Sequence, residues 1–495
     1  METLPYIDVS PLAARIPPAA VMAAPALLTL AVGLIGGTGR QLWQDELATW
    51  WSSTIGWADL RTLLGHDDVV FAPYYLLMRA WVAVFGDSVF ALRAPALLAM
   101  AATAALVAAL GRRLFGAHVG LLAGAVFALL PSISRYAQEA RPYALVLAGV
   151  TGSALLLVRA TDRPGPARWS AYAAVAAVTT ALHPLVLPFL LAHAGWAWRR
   201  RQASAFLLAG TVAATPGVGL LWAAQRQTDQ VSWIDTPWWS GLTMVGDLLF
   251  SPLLPLLTLA AVGTAAARHR RTEPDAVALL VVWSFAPILL LYALRPVQDL
   301  FIPRYLLYVL PAWAILAAVT LADLHTAMSR RRPPRPARFV AGSAAVLLVA
   351  LTLPGHRDAR IDPPWQPDLR ALAAVIAASQ QPGDAVAFQN ASWNERLSLR
   401  YALREAVSPR DAFAVQPASR GGYAVPECTV PRTCLGDAPR IWLITQAPPG
   451  DPLADLPPGK AELLREEYTV AQAFPAHLVQ VVLLVRRPKA GSDGV

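Results

Sequence analysis

Residues 19–46 read AAVMAAPALLTLAVGLIGGTGRQLWQDE. The apolar run over about 19–37 has the length of a membrane span. It ends in Gly36-Gly37, and Arg40 and Trp43 lead into the acid pair Asp45-Glu46, with Trp50-Trp51 just behind. Tryptophan favours the boundary between bilayer and water. Two adjacent carboxylates at that depth are costly to place, and ionisable groups in or beside a membrane mark pathways and sites. Taken alone, the pair also fits a solvated loop that merely ends a span. The rest of the chain decides between the two.

The chain has 495 residues, of which 56% are hydrophobic and only 15% charged. Its mean hydropathy is +0.45. A soluble domain is roughly a quarter charged, so this composition describes a polytopic membrane protein. The net charge of +9 is therefore no sign of nucleic-acid binding. Most of the arginines sit in short clusters between apolar runs, where they set topology.

After the first span, which reads as an uncleaved signal anchor, apolar runs follow at about 89–110, 118–131, 143–158, 170–182, 184–198, 205–223, 241–267, 276–294, 304–323 and 338–354. Residues 73–86 carry Arg79 and are short for a span; they predict a helix that lies at the interface or enters the membrane partway. Arg112-Arg113, Arg159 with Arg163 and Arg168, Arg199 to Arg201, Arg268 to Arg271 and the cluster at 330–338 alternate with the runs, and the charge rule makes them cytoplasmic. The result is about eleven transmembrane helices, with the N-terminus inside and the C-terminus outside. The loop 38–88, the turns at 132–142 and His183-Pro184, and residues 295–303 then share the outer face. The arginine clusters at 199–201 and 330–338 also suit contact with anionic lipid.

Composition changes near residue 355. The predicted domains are 1–355, transmembrane, with the first outer loop 38–88 carrying the site, and 356–495, extracytoplasmic. Residues 356–367 form a Pro-rich linker. Asp368 predicts an N-cap for a helix to about 380. Strands are predicted at 385–389, 440–445 and 478–485, with helices at about 393–406 and 459–467. Their alternation predicts a small α/β domain. It has no Gly-rich phosphate loop, so no nucleotide site is expected. Cys428 and Cys434 are the only cysteines. Their spacing fits a local disulfide in an oxidising compartment, or two free thiols; a zinc site lacks the further Cys or His it would need.

The order of motifs resembles a known family. The outer Asp45-Glu46 is followed by Tyr74-Tyr75-Leu76-Leu77-Met78, Phe85-Gly86-Asp87-Ser88, Leu92-Arg93-Ala94-Pro95 and Ser134-Arg135-Tyr136-Ala137-Gln138-Glu139-Ala140-Arg141-Pro142-Tyr143. This resembles the bacterial branch of the GT-C glycosyltransferases, relatives of the protein O-mannosyltransferases and the lipid A aminoarabinose transferase. The resemblance covers about residues 19–160 and extends more loosely through Arg304-Tyr305 to the C-terminal domain.

The resemblance implies a GT-C-like fold and transfer of a sugar, mannose or a relative, from a polyprenyl-phosphate donor at the outer membrane face. The acceptor is a hydroxyl of a protein, lipid or cell-wall glycan. Asp45 matches the family's general base, and a positioned carboxylate can take the proton that the acceptor loses. Glu46 then orients Asp45, binds acceptor or joins a metal site. Glu139 matches a second acidic position; its other reading is a salt bridge to Arg135 or Arg141. Arg141 and Arg304, with Arg295 behind them, are candidates for the donor phosphate, because planar guanidinium donors match phosphate oxygens. Tyr74, Tyr143 and Tyr305 are expected to line the cavity. Relatives carry a His-Pro-Pro element where this chain has Phe71-Ala72-Pro73, which removes a histidine there. Asp67-Asp68 suits a divalent ion or plain solvation, so the cofactor stays open. His183 reads as a turn residue. The competing class is a transporter or flippase of a polyprenyl-linked sugar, but no internal duplication of the kind common in transporters stands out. A non-catalytic relative that binds polyprenyl lipid is a third reading.

Overall fold

The apolar run predicted from residue 89 forms the Val89–Phe115 helix. Ser88 caps it by accepting from the Ala91 N–H at 3.2 Å, Arg112 and Arg113 sit in its last turn, and Gly116 stops it at φ +96°. This computed structural model describes residues 17–250, 254–331, 349–415, 421–448 and 450–488. The chain divides into two units. One draws on residues up to 39, 68–77 and 84–361, the other on 40–67, 78–83 and 362 onward.

The first unit is helical. Val89–Phe115 packs against Pro18–Leu34 and Ala117–Ala128. Two glycines on Ala117–Ala128 permit the close approach: a Cβ on Gly120 would lie 2.5 Å from the Ala108 carbonyl oxygen, and one on Gly124 would lie 2.5 Å from Pro25 Cγ. Small residues four apart are the usual means of bringing helix backbones together in a bilayer. Tyr143–Asp162 packs on Val89–Phe115 and on Pro166–Leu182, which packs on Ala203–Ala224. Exposed apolar side chains such as Leu208 and Leu256, each 75% exposed, suit a lipid environment.

Among the described residues, five helices are long and apolar enough to cross a membrane: Val89–Phe115, Tyr143–Asp162, Ala203–Ala224, Pro274–Leu294 and Leu307–Met328. The pairs Ala117–Ala128 with Pro131–Ala137, and Thr243–Leu249 with Leu254–His269, are bent by 63° and 101°; counting each as one span gives up to seven. Other predicted runs are helices below that length. Pro18–Leu34 and Pro166–Leu182 have 17 residues each, and the run at 184–198 is a 3-10 turn, Pro184–Val186, followed by the 11-residue Phe189–Arg199. Of the run at 338–354 and the cluster at 330–338, residues 332–348 lie outside the described residues. The short helix predicted at 73–86 is Ala72–Phe85.

The second unit holds a five-stranded sheet: β1 (Ala385–Phe388), β2 (Arg410–Asp411), β3 (Arg440–Thr445), β4 (Tyr468–Ala476) and β5 (Val479–Arg486). The order is β2-β1-β3-β5-β4, parallel from β2 to β3 and antiparallel beyond. Leu369–Ser379 and Trp393–Ala402 contribute to the core on one face, and Pro458–Glu467 to the core on the other. Asp368 caps its helix as predicted, accepting from the Ala371 N–H at 3.1 Å. Cys428 and Cys434 are joined as a disulfide, with Cα atoms 6.2 Å apart.

The loop around the acid pair is two helices, Gln44–Thr54 and Trp57–His66, packed within this second unit. Trp50 and Trp51 are 6% and 3% exposed, so they belong to a protein core and not to a lipid interface. Trp50 meets Tyr401 edge-on at 5.1 Å, and Trp51 Nε1 donates to the Gly422 carbonyl at 3.2 Å. Ser52 Oγ and Tyr423 OH share a hydrogen bond of 3.0 Å. The Gln41 N–H donates to Asp362 Oδ1 at 3.0 Å and its side chain to the Pro367 carbonyl at 2.7 Å. These bonds hold the chain entering the Asp45 helix on both its backbone and its side chain.

Candidate active site

The turn 138–142 is the structural hub of the first unit. Gln138, Glu139 and Arg141 are at most 4% exposed, an expensive location for polar groups unless each is bonded. Gln138 Nε2 donates to the Gly33 and Ile35 carbonyls, both at 2.8 Å. Arg360 adds bonds to Val32 and Ile35, and Arg93 to Gly37 at 2.9 Å. Amide and guanidinium donors thus satisfy the open carbonyls at the end of Pro18–Leu34 and favour its dipole. Glu139 forms an ion pair with Arg135, one turn before it, as its structural reading expected.

Arg141 is fixed on two sides. Its guanidinium carbon stands 3.9 Å from the Phe71 ring centroid, within cation–π range. Its Nη1 donates to Tyr75 OH at 3.3 Å, and that hydroxyl donates to Asp68 Oδ2 at 2.5 Å. Asp68 is itself held: its N–H donates to Gln230 at 3.1 Å and the Val69 N–H to Gln227 at 3.0 Å. Its φ of +55° is one that aspartate tolerates better than most residues. Phe71, read from sequence as a lost histidine, is the platform under Arg141. The tyrosine bonded to Arg141 is Tyr75; the predicted Tyr74 is buried beside it, with ring centroids 6.2 Å apart.

His183 gathers the other candidates. Its ring lies 5.8 Å from Phe71, 5.7 Å from Tyr143 and 5.2 Å from Tyr305. Arg304, in the 3-10 turn Pro303–Tyr305, stands 5.3 Å over Trp233 and 5.5 Å over Tyr305. His183 occupies the turn between Pro166–Leu182 and Phe189–Arg199. Burial, aided by the Arg141 and Arg304 charges, pushes its pKa down to about 3. The imidazole is therefore neutral near pH 7. Tyr143, His183, Arg304, Tyr305 and Tyr308 line a narrow cleft of about 10 Å³. Guanidinium groups suit an anion, and their planar donors match phosphate oxygens. The predicted Arg295 lies apart from this cluster's contacts, with Nε 3.5 Å from Asp299.

In the second unit, Asp45 and Glu46 form the first turn of Gln44–Thr54, where acidic residues favour the helix dipole. Glu46 is fully buried and Asp45 half-buried. Thr49 Oγ1 donates to the Asp45 carbonyl at 3.1 Å. Among the described residues no three His, Cys, Asp or Glu side chains group closely enough to hold a metal ion.

A family described as dolichyl-phosphate-mannose-protein mannosyltransferase matches residues 72–222. Among solved structures, ArnT from Cupriavidus metallidurans bound to undecaprenyl phosphate aligns over 94% of this chain and 98% of its own, with a TM-score of 0.58 and 14% identity. The fold is that of the GT-C membrane glycosyltransferases. The Archaeoglobus fulgidus oligosaccharyltransferase in complex with zinc and sulfate aligns over 92% of this chain and 72% of its own, with a TM-score of 0.54 and 11% identity. The oligosaccharyltransferase AglB from the same organism, bound to an inhibitory peptide and dolichol-phosphate, aligns over 77% and 63%, with a TM-score of 0.52 and 10% identity. No curated protein sequence matches significantly. With its apolar helices and this fold, the chain is a multi-pass membrane protein.

Sequence reasoning missed His183 as the meeting point. A lone histidine before proline carries no sign of the two arginines that the fold brings to it. It also missed the docking of 40–67 with residues beyond 362, for which no local pattern exists.

Proposed function

We propose that the chain transfers a sugar from a polyprenyl-phosphate-sugar to an acceptor hydroxyl. The observation that carries this reading is that Arg304 lines the cleft at His183 and Arg141 stacks on Phe71, whose ring is 5.8 Å from His183, in a fold whose solved relatives hold undecaprenyl phosphate or dolichol-phosphate. Arg141 and Arg304 bind the donor phosphate, and the tyrosines around His183 shape the cleft. Asp45 is the general base. It takes the acceptor proton as the acceptor oxygen bonds to the anomeric carbon, while the bond from that carbon to the phosphate oxygen breaks. Polyprenyl phosphate leaves as a stable anion, so it needs charge stabilisation more than protonation. Glu46 orients Asp45. Glu139, paired with Arg135, holds the turn that presents Arg141.

The reading puts the N-terminus in the cytoplasm and residues from 362 outside, with about eleven crossings once the short and broken helices are counted. The disulfide Cys428–Cys434 supports an oxidising compartment for the second unit. Mannose is the first sugar to test, from the description of the family matching residues 72–222, and arabinose types follow. The flippase reading is not favoured, since the fold relatives described above are transferases. The experiment is transfer by the purified chain in liposomes, with radiolabelled polyprenyl-phosphate-mannose, -arabinose and -aminoarabinose offered in turn. Label leaving the donor for an acceptor supports the proposal. Donor bound yet unreacted with every sugar contradicts it.

A further inference from the structure

A second cleft in the first unit is lined by residues away from His183. It has a volume of about 700 Å³ and is open on one side; Trp198, Arg199, Arg201, Ala203, Ser204 and Asp275 line it. Four arginines and two aspartates gather here. Arg113 and Arg200 pair with Asp162, and Arg199 and Arg200 with Asp275. The aspartates thus engage three of the four arginines. Arg201 has no hydrogen bond or ion pair from its side chain among the described residues.

The backbone of Arg201 is unusual. The Phe189–Arg199 helix ends with the Gln202 N–H donating to the Ala197 carbonyl at 2.8 Å and the Arg201 N–H to the Trp198 carbonyl at 3.0 Å. This is the helix stop that places its C′ residue in the left-handed region, where glycine is the usual choice. Arg201 occupies that position at φ +56°. A strained, non-glycine residue that also presents an unengaged cation to a cleft is a reason to look for a ligand. Trp198, 75% exposed, adds the side chain that favours the headgroup level of a bilayer. Asp275 does not repel an anion strongly, because Arg199 and Arg200 both face it.

We propose that this cleft binds the phosphate headgroup of an anionic phospholipid, with Arg201 as its principal cation and Trp198 and Ser204 beside it. Basic pockets between membrane helices hold such headgroups, and the paired Arg199 and Arg200 keep the wall rigid and positive. The lipid anchors the turn between Phe189–Arg199 and Ala203–Ala224 at the membrane surface. This site is independent of the sugar-transfer reading.

The test uses the full chain purified in detergent, with dioleoyl phosphatidylglycerol, dioleoyl phosphatidylcholine or inorganic phosphate added. Phosphatidylglycerol is expected to raise the thermal midpoint, and the other two are not. Arg201→Gly weakens the phosphatidylglycerol effect about fivefold, the value of one near-surface cation. Its lipid-free midpoint stays level with wild type or rises, because glycine relieves the left-handed backbone. Arg201→Gln, which keeps the strained backbone, shows the same loss of lipid response. Arg168→Gln, which removes an arginine outside the cleft, keeps the response. Wild-type response in both Arg201 variants overturns the site. An equal loss in Arg168→Gln shows only bulk charge, and an equal shift from inorganic phosphate removes the lipid as the ligand; either result also overturns the proposal.

Discussion

His183 gives the protein a calculable response to acid. In the unfolded chain its imidazole titrates near 6.5; in the folded protein burial and the two arginines hold it down at about 3. Between those values the unfolded state binds the extra proton, so stability falls as pH falls. The stability that this group contributes is fully present above about pH 6.5 and is lost progressively toward pH 3. From pH 7 to pH 5 the loss amounts to about 2 kcal/mol, from 1.36 kcal/mol per unit below the unfolded value. His183→Gln removes this term. The assay is denaturation of both proteins in detergent at a series of pH values. The wild type is expected to lose about 2 kcal/mol more than the variant over that interval. Equal pH dependence in the two proteins would show that His183 is not the group responsible. A phosphate lipid bound to Arg141 and Arg304 would oppose their charge, so undecaprenyl phosphate should blunt the wild type's acid sensitivity.

Other perturbations test other links. Arg141→Lys keeps the charge but loses the planar fork; it should weaken binding of undecaprenyl phosphate more than tenfold, as read by ligand-induced thermal shift. Gly120→Ala drives a methyl to within 2.5 Å of the Ala108 carbonyl and 2.7 Å of the Arg112 nitrogen, and should cost about 1–3 kcal/mol. Gly263→Ala, with nothing within 4 Å of the new Cβ, should be neutral or stabilising by up to about 1 kcal/mol in the same thermal denaturation. In the second unit Glu427 pairs with Arg396 at 2.5 Å and with the buried Lys460. Glu427→Gln should cost about 3–5 kcal/mol by leaving those cations short of a partner. The further change Lys460→Met should restore part of that loss, which a double-mutant cycle measures.

The parts of the fold that are legible in the sequence are those with a local signal. Apolar runs locate the membrane helices, and β1 and β3 stand out as apolar stretches. β4 does not, because most of Tyr468–Ala476 is exposed at a sheet edge, where Pro475 is tolerated. Trp50 and Trp51 beside an apolar run look interfacial. Only their contacts with Tyr401 and Gly422, more than 300 residues away, reveal them as core. Arg141, Tyr143, Arg304 and Tyr305 are candidates from family resemblance, and the fold sets Tyr143, Arg304 and Tyr305 around His183. Phe71 and Tyr75 lie in stretches that the resemblance marks, but only the fold shows that they hold Arg141.

The central claim is sugar transfer with Asp45 as base. The most direct measurement compares wild type with Asp45→Asn in liposomes, following both donor binding and the appearance of free polyprenyl phosphate. Both proteins are expected to bind the donor, and only the wild type to release polyprenyl phosphate with sugar on the acceptor. Release at the wild-type rate by Asp45→Asn would contradict that claim.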